Sequence, residues 1–324
     1  MLDLKGKKVL VAGGAGFLGT HMILRLRAEG AIVRATKHVR KPKLDLPEIE
    51  WIETDLREPD NCAKVVEGMD YVFLSSANTQ GAAVIALSPL AHVAPNVAIN
   101  TNMLDAAHKA GVKKFLFISS GAAYPPTDHP ATEEEMFAAP PSDVYFAVGW
   151  MKRYAEILCY TYAEKIKNPM PTVVVRPSNV YGPYDKWDFK ISHVTAAQIR
   201  KVYEKQQPIK VWGSGLDERD LIYVEDFMDG LMAAFKTELP YLVVNICSNT
   251  NVTVRNIIDT AIKVTDFKDA EISYEIDKPA TVGKRPLSNA KAKELLGFNP
   301  KFGLEEGVTR TIAWLEDNPW ALKD

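Results

Sequence analysis

A tyrosine and a lysine, Tyr145 and Lys152, stand seven residues apart in the stretch VYFAVGWMKRYAE. A phenol that exchanges a proton and an ammonium that lowers its pKa form an acid/base pair, provided the side chains meet. Residues seven apart on an α-helix face the same side, within about 20° of rotation. Their axial gap is roughly 10 Å, against about 6 Å at a spacing of four. Helical side chains lean toward the N-terminus, so Lys152 leans toward Tyr145 while Tyr145 leans away. Contact therefore needs a late helix start or a π-bulge, and Gly149 gives the backbone room for either. The same two residue types on one helix face also serve as ordinary packing and snorkelling.

A second chemical signal lies at the N-terminus. The stretch VLVAGGAGFLG sets Gly13, Gly16 and Gly19 between an apolar run and an amphipathic one, with Phe17 and Leu18 at the junction. Glycines there permit a tight turn, close approach of backbone to a pyrophosphate, and tight helix–strand packing, and the helix N-terminus faces the anion with free N–H groups. This is the pattern of a dinucleotide site. After the next strand, VRATKHVRKPK offers Arg34, Lys37, His38 and Arg40 and no acid. An acid would hold a free ribose 2′-hydroxyl, whereas cations such as Lys37 and Arg40 suit a 2′-phosphate. NADP is therefore the expected cofactor, with NAD as the alternative; a solvated basic loop is the plainer reading of the same residues. Asp55 and Leu56, after the third strand, are the expected adenine neighbours.

The elements that must position these residues alternate regularly. KKVLVAG, AIVRAT, IEWIETD, DYVFLSS, KKFLFISS and PTVVVRP read as strands, and FLGTHMILRLRAEG as a helix with Leu18, Met22 and Leu26 on one face. Such alternation implies a parallel, doubly wound Rossmann sheet of the α/β class, and bare apolar strands fit a sheet covered on both faces. After Tyr181 the texture changes: YGPYDKWDFKISH reads as a loop before the helix VTAAQIRKVYEK. Two later strands, RDLIYV and YLVVNIC, are placed as returning to the main sheet, and the tail from Thr253 holds two helices and the strand EISYEI. The expected organisation is a dinucleotide-binding domain over 1–180, rejoined by 220–250. A smaller interleaved α/β lobe for substrate covers 181–219 and 251–324.

Composition sets outer limits. The 324 residues are 47% apolar and 25% charged with a formal net charge of −2, ordinary for a soluble globular chain and unsuited to a general nucleic-acid or membrane-surface binder. Cys62, Cys159 and Cys247 lie far apart without a CxxC pair, which leaves no readable metal site and suggests a reducing, cytoplasmic setting. No run of 18 apolar residues and no signal-peptide core is present.

The motifs GGAGFLG, FISSGAAYP, VVVRPSNVYGPYD, VWGSGLDERDLIYVEDF and GKRPLSNAKAKELLGF resemble the extended short-chain dehydrogenase/reductase family, the NAD-dependent epimerases and dehydratases, over nearly the whole chain. Its members are mostly nucleotide-sugar epimerases, dehydratases and reductases. Within it, PSNVYGPYDKWDFKISHV followed by VWGSG is most similar to the GDP-L-fucose synthases, alongside the nucleotide-sugar 4-epimerases. The resemblance implies that Ser120 hydrogen-bonds the reacting sugar oxygen and that Asn179 lies near substrate and nicotinamide. Arg219 and Arg285 match arginines that grip the nucleotide diphosphate, surface salt bridges being the plainer role, and Trp212 borders the base or packs beneath it. His193 matches an epimerisation acid/base or caps its helix; the cysteine that partners that histidine in fucose synthases is Ala122 here.

In the family the tyrosine lies four residues before the lysine, which also holds the nicotinamide ribose. Lys152 matches that lysine through KRYAEILC, but the position four before it is Val148. Three readings follow. Tyr145 acts as acid/base from distorted or pre-helical backbone; or Ser120 or His193 manages the proton while Lys152 binds ribose; or the chain binds cofactor and ligand without turnover. The expected activity is that of an NAD(P)-dependent epimerase of a GDP- or UDP-linked sugar working through a keto intermediate. A 4-ketoreductase or dehydratase, or a non-catalytic binding protein, are the alternatives. The resemblance also implies a homodimer.

Overall fold

The structure, a computed structural model, describes residues 2–78, 88, 90–277, 284 and 286–323. Seven strands form the main sheet: β1 (Lys8–Ala12), β2 (Ile32–Lys37), β3 (Glu50–Glu53), β4 (Tyr71–Leu74), β5 (Lys114–Ile118), β6 (Thr172–Pro177) and, later in the chain, β10 (Tyr241–Ile246). Their spatial order is β10-β6-β5-β4-β1-β2-β3, with every neighbouring pair parallel. Chain direction across the sheet reverses between β1 and β4, and a crevice opens beyond the carboxyl ends of strands at such a switch point.

Strand alternation feeds two cores. Val9 and Val11 of β1 face the core shared with Met22, Ile23 and Leu26 of the helix Phe17–Ala28. Leu10 and Ala12 face the opposite core, which holds Met103, Leu104 and Ala107 of the helix Leu90–Lys109 and Ala155 and Cys159 of the helix Phe146–Glu164. Both faces of the central strands are covered, which is why they read as unbroken apolar runs.

The second part of the chain departs from expectation in one strand. Tyr241–Ile246 joins the main sheet along the full length of β6. With that edge filled, β9 (Glu218–Tyr223) does not return to it. It lies instead in a three-stranded sheet between β7 (Asn179–Tyr181) and β11 (Asn251–Thr253). A separate pair is formed by β8 (Ile209–Trp212) and β12 (Ile272–Glu275). The tail carries the helices Val254–Val264, Ala290–Leu296 and Leu304–Asp317, one more than the apolar periodicity suggested. The extra one spans two turns and stops at Gly297 with φ 63°.

Candidate active site

A cleft of about 430 Å³ opens beyond the carboxyl ends of the main strands. One wall is the glycine turn. Gly13 has φ 86°, and a Cβ there would lie 2.6 Å from the backbone N and Cα of Ser76. A Cβ on Gly19 would fall 2.2 Å from the Gly13 carbonyl oxygen, so the helix packs directly onto the turn. Gly16 caps that helix with no side-chain cap and no acid in the first turn, and Gly16, Phe17, Leu18 and Gly19 line the cleft. Unfilled N–H groups at a helix start beside a cleft fit a pyrophosphate. The dinucleotide thus passes a test set by backbone space alone. Leu18 is half-buried at the cleft, whereas Met22 and Leu26 are fully inside the core.

The basic run after β2 is mostly engaged elsewhere. The β2–β3 register sets Lys37 opposite Glu53, and the two form an ion pair at 3.2 Å. Arg34 donates to Glu50 at 2.8 Å and to the carbonyls of Val65 and Glu67. His38 lies 3.9 Å from Asp55. Arg40 alone of the four lines the cleft. The adenine neighbours expected from sequence sit off its lining. Hydrogen bonds from the Arg57 guanidinium, 2.9 Å from Asp55, hold that carboxyl down to about 2, and Leu56 is buried in the core. Alternation within a short strand reveals which face a side chain takes, but not which neighbouring strand offers it a partner.

Ser120, Tyr145 and Lys152 all line the cleft. Ser120 caps a short 3₁₀ turn, its Oγ accepting from the Ala122 amide at 3.1 Å. A second 3₁₀ turn, Asp143–Tyr145, precedes the long helix, which begins only at Phe146. Tyr145 is therefore the residue before the helix, at φ −111° and ψ 13°, and is 9% exposed. Its backbone departs from helical φ and ψ, so its side chain need not take the direction that a regular helix imposes. Gly149 makes room for this approach: a Cβ there would stand 2.6 Å from Cβ and Cγ of Pro141. Val148, at the four-residue spacing, also lines the cleft.

The Lys152 ammonium donates to the Ile118 carbonyl at 2.8 Å and lies 4.8 Å from the centre of the Phe117 ring. Burial lowers its pKa to about 8, against the upward pull of Glu156. Beneath it, Glu156 and Arg176 form a buried ion pair at 2.6 Å. Ser119 donates to Glu156, and Arg176 donates to the Tyr124 hydroxyl, which donates onward to Asn245 Oδ1 at 2.7 Å. This network fixes the floor on which Ser120 and Lys152 stand.

On the far side, Asn179 Nδ2 donates to the Asp220 carbonyl at 3.0 Å, and Arg219 lies 3.4 Å from Asp217 while donating to the Glu218 carbonyl. Both line the cleft, as does His193. His193 is the residue before the helix Val194–Tyr203, but its imidazole makes no capping hydrogen bond. Trp212 is half-exposed at the end of β8, off the cleft lining. Arg285 lies outside the described residues. Sequence reasoning missed His92, Asn96, Asp185 and Lys186, which also line the cleft. Asp185 and Lys186 fall within the quoted stretch PYDKWDFKISHV, whereas nothing in the sequence marks His92. No cluster of three or more metal-ligating side chains and no helix long and apolar enough to cross a membrane occurs among the described residues.

The NAD dependent epimerase/dehydratase family model matches residues 9–247. The chain belongs to this family. As such it is an enzyme, with the Rossmann-type α/β fold of its relatives. GDP-mannose 3,5-epimerase 1 of Oryza sativa subsp. japonica is 30% identical over 318 residues, covering 96% of this chain and 82% of the relative. GDP-L-fucose synthase of Sinorhizobium fredii is 28% identical over 319 residues, covering 96% of each. Among solved structures, UDP-glucose 4-epimerase of Thermotoga maritima with UDP-glucose superposes with a TM-score of 0.86 at 25% identity, over 96% of this chain and 99% of that one. MoeE5 in complex with UDP-glucuronic acid and NAD gives a TM-score of 0.82 at 25% identity, over 96% and 99%. In this epimerase/dehydratase chain the glycine turn, Tyr145 and Lys152 line a single cleft.

Proposed function

We propose that the protein is an NAD(P)-dependent epimerase of a nucleotide-diphosphate sugar. The observation that carries this is the joint presence of Ser120, Tyr145 and Lys152 in the cleft that the glycine turn opens. Bound at the turn of Gly13, Gly16 and Gly19, the dinucleotide would supply hydride-accepting and hydride-donating chemistry. Tyr145 takes the carbinol proton as the sugar is oxidised to the keto form and gives it back on reduction. Ser120 hydrogen-bonds the reacting oxygen, and the Lys152 ammonium stabilises the phenolate and holds the nicotinamide ribose. Asn179 orients the sugar, Arg219 and Arg285 bind the diphosphate, and Trp212 serves the base. His193 lines the cleft as a further proton carrier, and Ala122, which also lines it, has no proton to exchange. That pairing favours a single inversion through hydride return over deprotonation at two carbons.

Arg40 on the cleft supports NADP, and the engagement of Lys37 by Glu53 leaves NAD as the alternative. The substrate is GDP- or UDP-linked, the classes named for the relatives above. A homodimer is supported by Phe146, Trp150, Tyr154 and Ile157, spaced along one face of a helix and each 42–52% exposed. Three buried, unpaired cysteines support a reducing cytoplasm.

The test is incubation with NAD or NADP and a panel of GDP- and UDP-sugars, followed by proton NMR. Inversion at one sugar carbon with catalytic cofactor supports the proposal. Stoichiometric consumption of reduced cofactor would make the protein a reductase. Tight binding of both ligands without conversion would make it a binding protein.

A further inference from the structure

The loop after β7 forms a strap that lends Asp185 and Lys186 to the cleft lining, and it is tied to the dinucleotide half of the molecule. His21, on the second turn of the helix that starts at the glycine turn, donates from Nε2 to the Pro183 carbonyl at 2.9 Å. Lys43, beyond β2, donates to the carbonyls of Tyr184 at 2.7 Å and Asp185 at 3.1 Å. Tyr184 takes φ 63°, a left-handed conformation unfavourable for an ordinary residue, and its ring packs on Trp314 at 4.7 Å between centroids. The kink delivers Asp185 and Lys186 into the cleft lining, beside Arg40.

Facing them is His92, from the first turn of the helix Leu90–Lys109. It lines the cleft, is 3% exposed, and its Nε2 has no hydrogen-bond partner. Its placement is fixed nearby: Asn96 accepts from the Asn78 amide at 2.7 Å and donates to the Asn78 carbonyl at 3.0 Å, while Asn78 Nδ2 donates to the Ala91 carbonyl at 2.9 Å. An orphaned ring nitrogen in a buried position carries a desolvation cost that a ligand oxygen would remove. Arg40, Lys43 and the carboxylate of Asp185 all bear on Lys186, and Asp185 Oδ1 accepts from the Lys186 amide at 2.7 Å. Burial and these like charges lower Lys186 to about 8, and burial with Lys186 nearby keeps His92 below its usual range; a neutral imidazole donates through Nε2 in the Nε2–H tautomer, which a ligand oxygen would select.

We propose that Lys186 and His92, with Arg40, form a phosphate clamp that closes the strap over the dinucleotide on the side opposite the glycine turn. The clamp rests on the cofactor reading above, and it adds a second, side-chain half to a phosphate site otherwise made of backbone N–H groups. The strap hangs from His21 and Lys43, which belong to the dinucleotide half. That assigns the clamp to the dinucleotide's phosphates and not to the sugar nucleotide's diphosphate.

The experiment is direct titration of wild type, Lys186→Ala, Lys186→Arg, His92→Phe and His92→Gln with NADH, NADPH, GDP and UDP, with thermal melts to confirm folding. The expected result is a loss of about tenfold or more in dinucleotide affinity for Lys186→Ala and His92→Phe, the scale of one charge-assisted hydrogen bond. Recovery is expected in Lys186→Arg and His92→Gln, with GDP and UDP affinities unchanged. Equal losses for NADH and NADPH place the contact on the pyrophosphate, and a larger loss for NADPH places it on the 2′-phosphate; both sustain the clamp. Unchanged dinucleotide affinity in folded Lys186→Ala, or a loss shared by GDP and UDP, overturns it. Because binding needs no turnover, a protein that passes this test yet converts no sugar refutes the proposed activity and leaves the clamp standing.

Discussion

Gly149→Ala probes how Tyr145 is presented without touching any reacting group. The new Cβ would stand 2.6 Å from Cβ and Cγ of Pro141 and 3.4 Å from the Ala122 carbonyl oxygen. Carbon atoms rest at about 3.5–4.0 Å, so the helix and the proline must part by roughly 1 Å. Pro141 leads into the 3₁₀ turn Asp143–Tyr145, so the displacement passes to Tyr145, or to Ser120 through the turn that holds Ala122. A misplacement of about 1 Å at a reacting group costs on the order of 10²-fold in rate. Overpacking costs about 1–3 kcal/mol, and removing glycine from a helix interior returns about 1 kcal/mol, so the net loss of stability is at most about 2 kcal/mol. The assay pairs steady-state kinetics with chemical denaturation. The expected outcome is a kcat lower by about a hundredfold, with KM for the nucleotide sugar little changed and the fold intact. Wild-type kcat at wild-type stability would mean that the approach of Pro141 does not set the position of Tyr145.

Other predictions follow from the same geometry. Burial holds Lys152 at about 8, so its charge is present below that pH and lost above it; kcat/KM should fall on the alkaline side of about 8, and Lys152→Arg should move that limb to higher pH. The same shift bears on stability: the folded value lies below the unfolded one of 10.5, so the unfolded chain binds more protons between about 8 and 10.5 and stability should rise across that window. Glu156→Gln strands the buried Arg176 guanidinium and should cost about 3–5 kcal/mol in denaturant unfolding, whereas a loss under 1 kcal/mol would show that the pair adds little. Ile157→Asp places a charge in the exposed apolar stripe and should shift the mass measured by light scattering from dimer to monomer; an unchanged mass would remove that face from the interface.

The parallel sheet was legible because its strands are buried on both faces and read as apolar runs, and the glycine turn because its spacing serves backbone geometry alone. The partners of Lys37 and Arg34 were not legible. They depend on the register of β2 against β3 and on the chain leaving the helix Pro59–Val66, neither of which leaves a local mark. The fate of Glu218–Tyr223 turned on whether another strand already filled the edge of β6. The seven-residue spacing of Tyr145 and Lys152 could be measured in sequence, but the late helix start that suits it lies in a contact between Gly149 and Pro141. His92 carries no periodic or motif signal, because its meaning comes from an unpartnered ring nitrogen at a cleft assembled from distant segments.

The most direct test of the account is single-turnover hydride transfer in Tyr145→Phe, followed through the absorbance of reduced nicotinamide with a sugar nucleotide that the wild type converts. The expected rate is lower by about 10²–10⁴-fold, with dinucleotide and sugar-nucleotide affinities preserved. A transfer rate equal to that of the wild type would contradict it, and the proton would then have to pass through Ser120 or His193.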